Sequence, residues 1–334
     1  MQITGRSSEG AVMGVMGTGV LACFAVKNRN EEIRADSRSG GAFSALAYDV
    51  LSRGGSVYGC ALSDNFSAKH VRIVSPHELG ALRGSKYVQS DTTRIWKPLE
   101  SDLASGMPVL FSGTPCQIAA VRSFVHAKRL SSTNLLCVDL VCHGVPSPAV
   151  WQKFLRDSEK KWGGPVEAVL FRDKGRFGWK AHQESLRIDG ITHSSRTYAR
   201  LFYTHLALRP ACFECPYKSF HRQGDVTLAD FWGIDDAVPG FNDDKGVSLV
   251  LINSEEGREV FDRVKAAFEY REVSLESCLQ PALVAPFAVP GNRDEFWGDF
   301  PTRNIWWLER RYATRPLWKR VLTKIKKTIK AEVG

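Results

Sequence analysis

This sequence has little that would mark a membrane-spanning, secreted or nucleic-acid-gripping protein. An uncharged run at 10–26 extends over 17 residues, but it holds four glycines and only Arg6 precedes it as a basic flank. It falls short both of the about 20 strongly apolar residues of a spanning helix and of a signal peptide. Eight cysteines in 334 residues are too sparse and too irregularly spaced for a disulfide scaffold. A reducing cytoplasm, where thiolates stay free to bind metal, is the expected setting. The net charge of +9 is concentrated, because residues 315–334 carry seven Lys/Arg against one Glu. The remaining body is near neutral, which excludes a surface built to hold nucleic acid. No internal repeat, P-loop, carboxylate pair or Ser–His–Asp arrangement is present, so no catalytic acid or base is assigned.

The apolar pattern predicts a mixed α/β fold, with a partly parallel sheet flanked by helices. Phe43, Leu46, Ala47, Val50 and Leu51 recur at helical spacing between Ser39-Gly40-Gly41 and Gly54-Gly55. Residues 56–62 and 70–74 read as a strand pair, and Ser75-Pro76-His77-Glu78 as a capping box opening a helix. Residues 108–111 and 135–141 are short apolar strands, each followed by a turn and a helix, which predicts parallel pairing. Cys116 and Cys142 then fall just past the carboxyl ends of strands, where open α/β sheets bind ligands. Further strands are expected at 166–171, 184–188, 225–231 and 247–252, with a hairpin at Asp189-Gly190. A helix is expected at 198–208, and another after Ser254 with Val260, Phe261, Val264 and Phe268 inward. The organisation expected is a segment at 1–26, a main domain at 27–300 in two intimate lobes meeting near 160, and a basic tail at 301–334.

Cys212-Phe213-Glu214-Cys215-Pro216 places two thiolates where one metal centre can be chelated from a single turn. Cys116, at a helix N-terminus, and Cys142, in the turn Cys142-His143-Gly144, are the settings suited to complete the site. Cys137 and Cys60 read as core, and Cys23 and Cys278 have no motif around them. Spacing alone leaves zinc and iron–sulfur open. Ser39, Gly40 and Gly41 at a helix start would let backbone N–H groups approach a phosphate. Lys86, in Gly84-Ser85-Lys86-Tyr87, is a lone loop lysine. Arg172 and Lys174, in Phe171-Arg172-Asp173-Lys174, are candidates for holding an acidic coenzyme or substrate. His143 and His205 read as structural.

In order along the chain stand Lys27-Asn28, Glu31-Glu32-Ile33-Arg34, Ser39-Gly40-Gly41, Gly84-Ser85-Lys86-Tyr87-Val88-Gln89-Ser90 and Gly113-Thr114-Pro115-Cys116-Gln117. They continue through Cys142-His143-Gly144-Val145-Pro146-Ser147, Phe171-Arg172-Asp173-Lys174, Cys212-Phe213-Glu214-Cys215 and Gly224-Asp225-Val226-Thr227-Leu228-Ala229-Asp230-Phe231-Trp232-Gly233. Over roughly residues 20–300 this resembles the coenzyme F420 hydrogenase/dehydrogenase beta-subunit family. The resemblance implies an iron–sulfur flavoprotein oxidoreductase that binds FAD beside one [4Fe–4S] cluster. Such a protein exchanges electrons with a redox partner protein or a small hydride donor or acceptor, coenzyme F420 among them, and some relatives serve polysaccharide-related pathways. By motif, Cys116, Cys142, Cys212 and Cys215 match the cluster thiolates, which turns the zinc question toward iron–sulfur. Ser39, Gly40 and Gly41 match a segment near the flavin phosphates, and Lys86 and Thr114 would lie near the flavin. Many relatives carry an N-terminal ferredoxin-like module with CxxCxxC runs; here the stretch before Lys27 offers only Cys23, so one cluster is expected. A non-catalytic electron-transfer subunit and a zinc-stabilised binding protein are the competing readings.

In the tail, Leu317, Trp318, Val321, Leu322, Ile325 and Ile329 share one helical face against Lys319, Arg320, Lys324, Lys326, Lys327 and Lys330. This C-terminal basic amphipathic helix, at 316–331, is expected to touch the inner face of a membrane peripherally or to dock on a partner.

Overall fold

The structure, a computed structural model, describes residues 19–314. The expected tail helix at 316–331 and most of the segment at 1–26 lie outside the described residues. In chain order the strands are β1 (Ala22–Asn28), β2 (Ser56–Leu62), β3 (Ala68–Ile73), β4 (Val109–Gly113), β5 (Leu135–Leu140) and β6 (Val166–Leu170). After them come β7 (Glu184–Ile188), β8 (Ile191–Ser195), β9 (Val226–Asp230), β10 (Ser248–Ile252) and β11 (Phe268–Val273).

One eight-stranded sheet has the order β11-β1-β10-β9-β5-β4-β2-β3. Its centre is parallel, with β2 on β4, β4 on β5 and β5 on β9. The remaining pairs of this sheet are antiparallel. The parallel part arises as the sequence predicts: β4 runs into the helix Pro115–Ala127, which returns the chain to β5. Successive residues of these strands face opposite sides of the sheet. Val57, Leu110 and Leu136 pack under the helices Ala42–Ser52 and Glu255–Val264. Tyr58, Phe111 and Cys137 pack under Trp96–Ala104 and Pro115–Ala127. Each such large side chain, fully withdrawn from water, contributes about 1.5–3 kcal/mol.

A second apolar nucleus joins the amphipathic helix Pro148–Trp162 to the antiparallel sheet β6-β7-β8 and to the segment around Ile305 and Leu308. Trp151 anchors it, stacked at 4.3 Å on Phe171 and donating its indole N–H to the Phe66 carbonyl at 2.7 Å.

Several expectations need correction. The helix expected at 198–208 is short, Thr197–Tyr203, and breaks into a turn in which His205 takes φ 64°. The capping box at Ser75 forms, but it opens the 3-10 helix Pro76–Leu82. Phe268 is buried, yet it starts β11 rather than ending a helix, because the chain turns at Lys265–Ala267 to pair with β1. Cys60 packs against the second nucleus but is only half-buried and also borders a cavity.

Candidate functional site

At the carboxyl ends of β4, β5 and β9 the sheet opens into a cavity of about 580 Å³, within the range of ligand sites. Cys116, Cys142, Cys212 and Cys215 all border it. Cys116, Cys142 and Cys212 arrive by different local devices. Cys116 is the second residue of Pro115–Ala127, fixed by a reciprocal cap between Thr114 and Gln117 with Pro115 at the first helical position. Cys142 lies two residues past β5, before Gly144 at φ 113°. A side chain at Gly144 would meet Leu208 at 2.8 Å, so the turn closes tightly against the segment that carries Cys212. Cys212 ends the 3-10 turn Pro210–Cys212.

Burial pushes the Cys142 thiol up to about 12, with the thiols of Cys116 and Cys212 adding to it. Burial likewise raises Cys212, which feels Cys116 and Cys215. Cys142 and Cys212 therefore sense neighbouring thiols electrostatically, and a bound cation would remove that penalty. They are spread along the cavity wall: among the described residues no group of three or more His, Cys, Asp or Glu side chains closes on a single ion. Lys218 sits behind them, donating to the His143 carbonyl at 3.0 Å and attracted by Cys142, Cys212 and Cys215. His143 and His205 pair Nε2 to Nε2 at 2.8 Å beneath Phe287. Burial lowers His143 to about 4, so a neutral pair shares one proton in that contact.

A second wall is a hydrogen-bond chain ending at Cys116. His70 Nε2 lies 3.0 Å from the Ser112 carbonyl, which can only accept, so the ring proton sits there and Nδ1 accepts from Ser90 at 2.9 Å. Ser90 Oγ accepts from Gln117 at 2.8 Å, and Gln117 Oε1 accepts from Thr114 N and Oγ1 at 2.9 and 3.1 Å. The Thr114 hydroxyl is 3.2 Å from Cys116 Sγ. Burial lowers His70 to about 4, which keeps this chain uncharged at neutral pH. Close by, Lys86 donates to the carbonyls of Ala81 and Arg83 at 3.0 and 2.7 Å; burial brings its amine down to about 8.

The third wall is the segment 37–41 with Asp230 at the end of β9. Ser39 borders the cavity and donates to the Val247 carbonyl at 2.6 Å. Gly41, at φ 82°, starts Ala42–Ser52 with no side-chain cap, so first-turn N–H groups are left for a ligand. Gly40 serves packing instead. A Cβ there would press into the Val26 carbonyl and lie 2.6 Å from Ser248 N. Gly40→Ala is therefore expected to destabilise the chain by about 1–3 kcal/mol or more through overpacking; an unchanged thermal midpoint would refute this tight fit.

Of the two substrate candidates, Lys174 is bound to the backbone: its amine reaches the carbonyls of Arg34, Ser37 and Lys245 at 2.6, 2.8 and 2.9 Å and so fixes the segment 37–41. Arg172 stands behind the cavity, among Asp230, His182 and Tyr203.

The family described as the C terminus of the coenzyme F420 hydrogenase/dehydrogenase beta subunit matches residues 106–276, a little over half of the sequence. The chain belongs to this family. Among solved structures, a chain of the xenon-derivatised F420-reducing [NiFe] hydrogenase complex from Methanosarcina barkeri is similar at 20% identity. The match has a TM-score of 0.54 and covers 75% of this chain and 82% of that one, which bears out the mixed α/β fold. No curated protein matches the sequence. In this beta-subunit family member the matched region holds Cys116, Cys142, Cys212, Cys215, Arg172, Lys174 and Asp230; the segment 37–41, Cys60 and Lys86 precede it. Among the described residues no helix is long and apolar enough to cross a membrane.

Asp230, Arg38, His70 and Lys218 were not singled out from the sequence as site residues. A signal existed for Lys218, a cation three residues past Cys215. For the others the partners lie far away in the chain.

Proposed function

We propose that this chain is an FAD-dependent iron–sulfur oxidoreductase, passing electrons between one [4Fe–4S] cluster, FAD and a hydride-exchanging partner, with coenzyme F420 as a candidate. The observation that carries this reading is the convergence of Cys116, Cys142, Cys212 and Cys215 on one cavity next to the uncapped start of Ala42–Ser52. Thiols spread over a wall suit a cluster several atoms across, whose ligands sit on separate corners, better than a lone tetrahedral zinc. When bound, flavin supplies the exchange between hydride and single electrons, and the cluster supplies single-electron passage.

The chain's own contributions follow from the geometry. The four thiolates would hold the cluster, and Lys218 offsets their negative charge from behind. The first-turn N–H groups of Ala42–Ser52, with Ser39 and Gly41 beside them, would receive a phosphate. Lys86 presents a cation to the cavity, and the neutral His70–Ser90–Gln117–Thr114 chain fixes the wall on which Cys116 stands. A redox partner protein, cytoplasmic placement and peripheral membrane contact through 316–331 belong to the same proposal.

Anaerobic purification of the full chain tests it. Flavin absorption with a broad iron–sulfur shoulder is expected, together with FAD, iron and acid-labile sulfide on chemical analysis. Bleaching of the flavin by reduced F420 or another hydride donor would distinguish an enzyme from a passive electron carrier. A colourless protein carrying stoichiometric zinc would overturn the reading.

A further inference from the structure

Two buried arginines in the third wall have more positive charge and more N–H donors than their surroundings answer. The side chains of Arg38 and Arg172 are 9% and 5% exposed. Both lean on a single carboxylate: Arg38 Nη2 is 3.0 Å and Arg172 Nη1 3.8 Å from Asp230 Oδ2. Arg38 also donates to the Trp179 carbonyl at 3.1 Å, and Arg172 Nη2 to Tyr203 at 3.0 Å. Nε and Nη1 of both guanidiniums make no hydrogen bond. Among the described residues Asp230 is the carboxylate with which both guanidiniums pair. His182, beside Arg172, is held neutral by burial, with its value lowered to about 3; burial raises the phenols of Tyr87 and Tyr203. Lys174, in the same neighbourhood, adds a further cation.

One carboxylate against two guanidiniums leaves a buried positive excess, an arrangement that is costly unless an anion completes it. Arg38 and Asp230 border the cavity, and so do Ala42 and Phe43 at the uncapped helix start. We propose that Arg38 and Asp230, with Arg172 behind them, form an anion site at this cavity, which takes a phosphate group of the ligand that fills it. The Arg38 fork supplies donors for phosphate oxygens, Arg172 adds positive charge from behind, and the helix start adds backbone N–H groups. Trp232 marks the place: it stacks on Trp179 at 5.1 Å and lies 5.9 and 5.6 Å beneath the two guanidiniums. The phosphate has two possible sources, the flavin dinucleotide itself or the hydride-exchanging ligand; the second rests on the oxidoreductase reading above.

The test uses the full chain stripped of flavin, titrated with inorganic pyrophosphate, FAD and riboflavin. Binding is followed by calorimetry and by tryptophan fluorescence, with Trp232→Phe assigning the signal. Pyrophosphate is expected to bind the wild type, and Arg38→Gln and Arg172→Gln to weaken it by about ten- to a hundredfold. Asp230→Asn, which releases both forks, is expected to tighten it. If Arg38→Gln also removes the preference for FAD over riboflavin, the phosphate is the flavin's. If that preference survives while pyrophosphate binding is lost, the phosphate belongs to the second ligand. Absence of pyrophosphate binding to the wild type, or equal affinities in arginine variants with unchanged circular dichroism, would overturn the site. Flavin and pyrophosphate binding that both ignore the two arginines would sink the anion site alone. Pyrophosphate binding without any flavin binding would sink the flavin reading alone.

Discussion

Anaerobically reconstituted Cys142→Ser is expected to lose its iron and acid-labile sulfide to background, while Cys137→Ser keeps both. The two cysteines are five positions apart in sequence, on and just past the same strand, so the pair separates ligation from packing. Cys137 is fully buried in the face that packs under Pro115–Ala127, where serine would replace a small apolar side chain by a hydroxyl. The cost there is one of stability. Cys142 instead borders the cavity with Cys116, Cys212 and Cys215. A serine hydroxyl there stays protonated near neutrality and is a hard oxygen donor, poorly matched to iron held by thiolates. Cys60→Ser is the third arm, since Cys60 also faces the cavity but lies beside Lys86 rather than among the four thiols. Full iron in Cys142→Ser, or iron lost from Cys60→Ser instead, would show that a different thiol set does the binding.

How far the sequence reaches can be judged from particular elements. The centre of the sheet was legible because β4 and β5 are short apolar runs bounded by turn residues, each leading into a helix with a proline at its start. β1 was hidden inside an uncharged glycine-containing stretch, and its partners β10 and β11 lie at the far end of the chain. Phe268 continues the helical period of Val260, Phe261 and Val264, so periodicity alone could not show that pairing with β1 would take it. Cys116, Cys142, Cys212 and Cys215 stood out because each sits in a turn after an element or in a CxxC pair. Cys60 did not, since its strand looks uniformly apolar and only the sheet's position shows that helix cover stops short of it. Arg172 stood out in its own motif, but its grouping with Arg38 and Asp230 had no signal: the three come from separate loops and a strand end, and only the folded sheet joins them.

Asp139→Ala is expected to produce the largest loss of stability, about 3–5 kcal/mol, against a total of roughly 5–15 kcal/mol for a typical domain. Asp139 and Arg222 form an ion pair of 3.0 Å with side chains 0% and 1% exposed. The pair succeeds in the interior because its remaining hydrogen-bonding capacity is met. Asp139 accepts from the Thr227 hydroxyl and from the amides of Gln223 and Gly224. Arg222 donates to Thr227, to the Leu140 carbonyl at 3.0 Å and to the Ser219 carbonyl at 3.1 Å. Removing the carboxylate strands a guanidinium that has no route to water. The location makes this more than a stability effect. Asp139 is the penultimate residue of β5, three before Cys142, and Arg222 follows Cys215 by seven, so the pair clamps the loop carrying two of the thiols to the strand that leads to a third. Iron content should therefore fall together with the thermal midpoint in Asp139→Ala. The double variant Asp139→Asn with Arg222→Gln removes both charges, and it should recover much of the stability. A single variant that melts within about 1 kcal/mol of the wild type would mean that the loop is held by its other contacts, and the ion pair would lose its place in the assembly of the site.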